Sequence, residues 1–226
     1  MSITAPKPPS DRPRPAPPPR IVWIMVGAFA LIEGALQLAD LGILPIELRV
    51  ETYILFAFWD QYFDGVLDGR TVPVEFWSSL VTHAFLHGGA VHLLLNGAIF
   101  LGIGGMLAHV LGPVRFIVLF VICAIGGALA FGIIATFQGP LVGASGAIFG
   151  FLGALKRYEW KYIQKTGISA DRFWRTIAGL AAINVLLAFV PLGGGGIAWQ
   201  AHLGGFIAGF LIAPVLAPRF AAPSPI

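Results

Sequence analysis

Long apolar runs separated by shorter polar stretches dominate the chain. A helix that crosses the hydrocarbon core of a bilayer, roughly 30 Å thick, needs about 20 mostly apolar residues. The apolar runs therefore predict six transmembrane helices, named here spans one to six. They cover residues 21–39, 90–110, 116–137, 141–155, 174–190 and 199–217. The fourth and sixth spans are rich in Gly, so hydropathy alone ranks them below the others.

The charged residues predict how this bundle is oriented. With the amino terminus inside, 12 of the 14 Lys and Arg residues fall in inside segments, and seven of the 11 acidic residues fall in the first outside loop. Because inside loops of membrane proteins carry the excess of Lys and Arg, the predicted fold is an all-α polytopic membrane protein with both termini inside. The compact size and the lack of a recognisable targeting segment favour the plasma membrane of a bacterium.

Three segments lie outside the predicted membrane-spanning helices. Residues 1–20 contain eight prolines and four basic residues, which is typical of a disordered cytoplasmic tail or of a docking site for a protein that recognises Pro. Residues 40–79 form a long outside loop. Its apolar segment 53–59 is too short to span, so it is expected to pack on the bundle or lie in the outer interface. Residues 218–226 form a short cytoplasmic tail, which leaves residues 21–217 as the membrane domain.

Composition narrows the class of protein further. Apolar residues make up 57% of the chain and charged residues 11%, whereas soluble domains carry about 25% charged residues. The mean hydropathy is +0.84 and the isoelectric point is near 9.3. These values exclude a disordered protein and argue against a soluble domain. The net charge of only +3, with basic residues clustered beside apolar runs, argues against nucleic-acid binding. The single Cys123 lies inside an apolar run and is expected to be a packing residue.

Polar side chains inside a bilayer are costly and are candidates for function by default. Spans two, four and six run from outside to inside, and they carry His92, Ser145 and His202 two to four residues, or roughly 3–6 Å, below their outer ends. Asn96 lies one turn deeper than His92, about 9 Å down. Random scatter would not be expected to produce this common depth. The other polar residues inside spans are Glu33, Gln37 and Asn184.

Small residues surround two of these polar positions. Gly143 and Gly146 flank Ser145, while Gly205 and Gly209 form a G-x-x-x-G face in the sixth span. Small residues allow two helix backbones to approach closely in lipid. The fourth and sixth spans are therefore expected to pack against each other and to bring Ser145 close to His202.

The polar set fits nucleophilic catalysis. A serine hydroxyl becomes an effective nucleophile when a base takes its proton, and histidine is the usual base. Ser145 is therefore the predicted nucleophile and His202 the predicted general base. His92 and Asn96 share one helix face, and with the Ser145 backbone N–H they could donate hydrogen bonds to an oxyanion. No carboxylate is positioned as a third member, so a Ser–His dyad is expected.

Two further polar pairs lie near the outer ends of the first and second spans. Glu33 and Gln37 are expected to bond to each other, although they could also mark a proton path. His83 and His87 are one turn apart and could hold a metal. No third ligand is placed beside them, so hydrogen bonding at the interface is the favoured interpretation. No metal and no cofactor are therefore predicted.

Three motifs resemble those of the rhomboid family of intramembrane serine proteases. Residues 143–146, Gly-Ala-Ser-Gly, resemble the G-x-S-G sequence at the family's nucleophile. Residues 201–209 resemble its sixth-helix pattern A-H-x-x-G-x-x-x-G. Residues 83–96 resemble the entry of its second helix, including H-x-x-x-N. The likeness extends over roughly residues 70–212.

The resemblance implies a six-helix rhomboid core with Ser145 as nucleophile and His202 as general base. It also implies that His92 and Asn96 line the oxyanion site. One departure concerns residues 77–78, which are Trp-Ser where many members have Trp-Arg. The dyad does not depend on that arginine.

The predicted function is cleavage of single-span membrane proteins near the outer face of the bilayer. A catalytically silent rhomboid-like protein that binds membrane clients is the main alternative, and a small transporter or channel is another. The absence of an internal repeat argues against a transporter. The Gly-rich segment 191–198 leads into the sixth span and is the candidate gate for substrate and water.

Overall fold

A computed structural model describes residues 16–134, 139–188 and 197–217 of the protein. These residues form ten α-helices and two short strands. The helices are α1 (Arg20–Asp40), α2 (Leu48–Phe56), α3 (Asp60–Leu67), α4 (Glu75–Thr82), α5 (Ala90–Ile99), α6 (Gly105–Leu111), α7 (Pro113–Ile134), α8 (Ser145–Thr166), α9 (Asp171–Ala188) and α10 (Trp199–Leu216). The strands are β1 (Phe58–Trp59) and β2 (Pro140–Leu141).

Within the described ranges, four helical segments are long and apolar enough to cross a membrane. They are Arg20–Asp40, Ala90–Leu111, Pro113–Ile134 and Trp199–Leu216. The second of these joins α5 and α6 through the π-helical turns Phe100–Gly104. These segments correspond to spans one, two, three and six, so a multi-pass helical membrane protein is confirmed at this level.

Helices α8 and α9 lie at the predicted spans four and five. Neither meets the same criterion as a whole helix, because charged residues cluster where α8 ends and α9 begins. The count of six spans and the inside location of both termini therefore remain predictions. Helix α8 also differs from the predicted run 141–155. It begins only at Ser145, and it continues to Thr166, where Gly167 ends it in the left-handed conformation.

Glycines control how closely α7, α8 and α10 pack. A methyl group built on Gly205 would overlap the Gly146 carbonyl, and one built on Gly209 would overlap the Gly150 carbonyl. The backbones of α8 and α10 are therefore in direct contact, which is closer than any larger residue would allow. Cys123 of α7 is fully buried where α7 meets this pair. A methyl group built on Gly150 would overlap the Cys123 side chain, so the thiol packs directly on α8.

The long first loop folds into three helices and a strand. Strand β1 pairs antiparallel with β2, with Phe58 opposite Leu141. Phe58 and Phe63 are buried against Phe131 of α7. The part of the loop from β1 onward therefore packs on the bundle, whereas α2 buries none of its residues.

Arg49 of α2 connects this loop to α1. Its guanidinium donates to the buried carboxylate of Glu33 at 3.0 Å and to Asp40 at 2.6 Å. Gln37 also donates to Glu33, at 2.8 Å, as the sequence predicted for this pair. Removing one partner of such a buried ion pair is strongly destabilising. Arg49 is thus the partner that sequence analysis missed, and it aligns α2 with the end of α1.

Candidate functional site

The backbone around Gly143 delivers Ser145 to the start of a helix. Gly143 has a φ of +119° and donates its N–H to the His83 carbonyl at 3.0 Å. A residue with a side chain is strained at such a φ. The extended segment of β2 therefore turns sharply here, and α8 begins at Ser145. The first N–H groups of a helix have no intrahelical acceptor, so the Ser145 N–H lies at the positive end of α8.

Ser145 and His202 are in hydrogen-bond contact. The His202 Nε2 and the Ser145 Oγ are 2.9 Å apart. His202 lies on α10 and is only 2% exposed. The close packing of α8 on α10 brings the two side chains together although 57 positions separate them in the chain. This pair has the geometry of a nucleophile and its general base.

Two neighbours hold the imidazole ring of His202, and sequence analysis assigned neither a role. Phe149, one turn after Ser145, stacks on the ring with centroids 4.2 Å apart and planes 5° apart. Asn184 of α9 places its Oδ1 2.8 Å from the His202 Nδ1. The only sequence signal for Asn184 was its polarity inside the predicted fifth span, and Phe149 is one of many apolar helix residues.

His92 and Asn96 lie on the other side of the nucleophile. A methyl group built on Gly143 would be 2.8 Å from the His92 Nε2 and 3.4 Å from the Asn96 Nδ2. Both nitrogens therefore face the backbone two residues before Ser145. The Asn96 Nδ2 is buried and has no hydrogen-bond partner among the described residues. A buried donor without a partner is costly, and it is available to an incoming acceptor.

The hydrogen bond of His92 determines which of its nitrogens carries the proton. The Gly88 backbone N–H donates to the His92 Nδ1 at 3.2 Å. A backbone N–H can only donate, so Nδ1 is the acceptor and the neutral ring carries its proton on Nε2. The Nε2–H group is the one that faces Gly143, which makes His92 a donor toward the site.

His83 and His87 are structural neighbours of this site. The His83 Nδ1 is 2.8 Å from the Ser79 carbonyl, while both ring nitrogens of His87 are buried without a partner among the described residues. Burial lowers the pKa of His83 to about 4 and the pKa of His87 to about 3. In the part of the chain that the structure describes, no three His, Cys, Asp or Glu side chains form a group that could hold a metal ion.

Five predicted features fall partly or wholly outside the described residues. They are residues 1–15 of the amino-terminal tail, 135–137 of the third predicted span, 189–190 of the fifth predicted span, 191–196 of the candidate gate and the carboxy-terminal tail 218–226. Ser78, at the position where many rhomboid family members carry an arginine, lies on α4 and donates its hydroxyl to the Glu75 carbonyl at 2.9 Å. That bond is local to α4 and does not reach the site.

Comparison with known proteins connects this geometry to one family. A family model described as "Rhomboid domain" matches residues 74–219. RHOMBOID-like protein 5 of Arabidopsis thaliana is 34% identical over 161 residues, which cover 69% of this chain and 49% of that protein. Rhomboid protease GluP of Bacillus subtilis is 32% identical over 196 residues, which cover 83% of this chain and 34% of that protein. The chain thus spans about half or less of the length of these relatives.

Proposed function

This chain belongs to the rhomboid family, and from that premise we propose that it is a serine endopeptidase that cleaves membrane-spanning proteins within the bilayer. The observation that carries the proposal is the 2.9 Å contact between the His202 Nε2 and the Ser145 Oγ. Relatives named as proteases, such as GluP, support it at the level of the family.

In the proposed reaction, His202 activates Ser145. The Ser145 Oγ attacks the carbonyl carbon of the scissile peptide bond while the His202 Nε2 takes the hydroxyl proton. The resulting imidazolium then gives that proton to the leaving amine as the C–N bond breaks. Water, activated by the same imidazole, hydrolyses the acyl-enzyme and releases the second product. No metal and no cofactor take part in these steps.

The oxyanion of the tetrahedral intermediate would lie beside Gly143. The His92 Nε2–H, the Asn96 Nδ2–H and the Ser145 N–H are the proposed donors, since the two side-chain nitrogens face this backbone. The unpartnered state of the Asn96 Nδ2 among the described residues supports this role, because preorganised donors stabilise charge that develops only in the transition state.

The membrane arrangement belongs to the proposal as well. We take α8 and α9 as the fourth and fifth of six spans, with both termini inside and the chain in the plasma membrane. The charged end of α8 and the charged start of α9 would then lie at the inner face, and Ser145 near the outer face. Substrates would be single-span proteins with helix-weakening residues near their outer ends, because freed backbone groups are costly in hydrocarbon.

A labelling experiment tests the proposal directly. Purified protein in detergent or lipid discs is treated with a fluorophosphonate, which forms a covalent bond only with an activated serine. Labelling of the native chain, lost in Ser145→Ala and His202→Ala, is expected together with cleavage of a single-span test substrate. Absence of both labelling and cleavage in folded native protein would favour the catalytically silent alternative.

A further inference from the structure

Asn184 links the general base to a third helix. We propose that Asn184 is a positioning residue that holds the His202 imidazole in the tautomer and orientation needed to activate Ser145. The inference rests on the proposed function and extends the expected dyad to an aligned series of Ser, His and Asn side chains. Asn184 lies on α9, whereas the two reacting residues lie on α8 and α10.

The hydrogen bonds of Asn184 determine its orientation. Its Nδ2 is 3.1 Å from the Trp199 carbonyl oxygen, and its Oδ1 is 2.8 Å from the His202 Nδ1. A carbonyl oxygen can only accept, so the amide atom facing Trp199 must be the NH₂ group. The atom facing His202 is therefore the amide oxygen. This assignment follows from the partners and does not depend on distinguishing N from O in the side chain.

The orientation of the amide in turn determines the tautomer of His202. The Asn184 Oδ1 accepts, so the His202 Nδ1 must donate, and the neutral ring carries its proton there. The Nε2 then presents a lone pair to the Ser145 hydroxyl, which lies 2.9 Å away. The opposite tautomer would place N–H against O–H and could not take the serine proton.

The burial pattern of α9 makes this contact specific. Ile183 and Val185, on either side of Asn184, are 50% and 58% exposed. Asn184 itself is half-buried, and its amide bonds to two residues of the first turn of α10. A polar side chain that faced lipid at this depth would have no hydrogen-bond partner. The bonds to α10 therefore offset the cost of placing the Asn184 amide in the membrane.

The contribution of Asn184 should grow during the reaction. When Nε2 takes the serine proton, the ring becomes an imidazolium, and the bond from Nδ1–H to the Asn184 oxygen becomes charge-assisted. An interaction that strengthens in the transition state raises kcat more than it lowers KM. Loss of the acceptor should therefore reduce kcat by about 10- to 100-fold, with KM little changed.

Two substitutions separate the acceptor from the rest of the side chain. Asn184→Leu keeps a similar volume and removes the acceptor, whereas Asn184→Asp keeps an oxygen facing the His202 Nδ1. Val185→Ala is the matched control, because it shortens an exposed neighbour on the same helix. The expected order of kcat is native and Val185→Ala highest, Asn184→Asp lower, and Asn184→Leu lowest.

A spectroscopic measurement reads the tautomer without turnover. Protein with ¹⁵N-labelled histidine in lipid discs gives imidazole shifts that distinguish protonated Nδ1 from protonated Nε2, and the His202 signals are identified by their loss in His202→Ala. We expect protonated Nδ1 in the native chain and in Asn184→Asp, and a mixture of tautomers in Asn184→Leu. A native kcat and an unchanged tautomer in Asn184→Leu would overturn the inference.

The two readouts also separate this inference from the proposed function. Suppose that the native chain shows the expected tautomer of His202 and that Asn184→Leu loses it, while fluorophosphonate labels neither protein. The positioning role of Asn184 then holds, and the protease assignment fails. If Ser145 labels and cleavage occurs while Asn184→Asp is as impaired as Asn184→Leu, the protease assignment holds and the acceptor role fails.

Discussion

Replacing Asn96 should separate activity from stability. Its Nδ2 is buried without a partner among the described residues, and the whole residue is only 5% exposed. In the resting protein this donor lowers the free energy of unfolding by about 1–3 kcal/mol, which is the usual penalty of an unsatisfied buried polar group. In the transition state it is proposed to bind the oxyanion. The same amide is therefore a cost to folding and a gain to catalysis.

The magnitude depends on what replaces the amide. Removal of one oxyanion donor costs about 10²–10³ in kcat, or roughly 3–4 kcal/mol. Asn96→Leu fills the volume of the amide and blocks water, so kcat should fall by a factor approaching about 10³. Asn96→Ala leaves room for a water molecule to act as donor, so kcat should fall by only about 10². Thermal stability of Asn96→Leu should be equal to or above that of the native chain.

The assay combines steady-state cleavage of a single-span substrate in lipid discs with thermal unfolding of the same preparations. Leu94→Ala is the control, because Leu94 lies on the same helix and is 69% exposed. It should leave kcat unchanged. A kcat within threefold of native in both Asn96 variants would refute the oxyanion assignment. A large fall in Tm for Asn96→Leu would show instead that the amide is needed for folding.

Three further predictions concern the nucleophilic pair, the helix contact and the response to pH. Ser145→Ala and His202→Ala should each abolish cleavage with Tm near native, and residual activity near native in clean Ser145→Ala would contradict the mechanism. Gly205→Ala should lower Tm, because its new methyl group would overlap a backbone carbonyl of α8; overpacking costs about 1–3 kcal/mol. The matched Gly179→Ala has nothing within 4 Å of its new methyl group and should leave Tm equal or higher. Burial lowers the pKa of His87 to about 3, below the value of about 6.5 in an unfolded chain, so the unfolded state binds the extra proton. The free energy of unfolding should therefore fall as pH decreases from about 6.5 toward 3; equal pH slopes of Tm in native protein and His87→Phe would contradict this.

The apolar runs and the family motifs are sufficient to determine the class of this protein. Four predicted spans are confirmed as long apolar helices, because the length and hydropathy of a run are local properties of the sequence. The rhomboid family is likewise confirmed. The roles of Ser145, His202, His92 and Asn96 were predicted from the same motifs, and they stay predictions until the variants are measured.

Contacts between distant residues were decided only by the tertiary structure. The sequence led to a dyad because no carboxylate was available, yet the packing of α9 on α10 brings an amide, Asn184, to the His202 Nδ1. Arg49 is 16 positions from Glu33 and reaches it through the fold of the first loop. Helix α8 begins at Ser145 and not at residue 141, where the predicted apolar run starts, because Gly143 turns the backbone just after β2 ends. Such contacts depend on how helices pack against each other, and hydropathy along the chain carries no information about which side chains will meet.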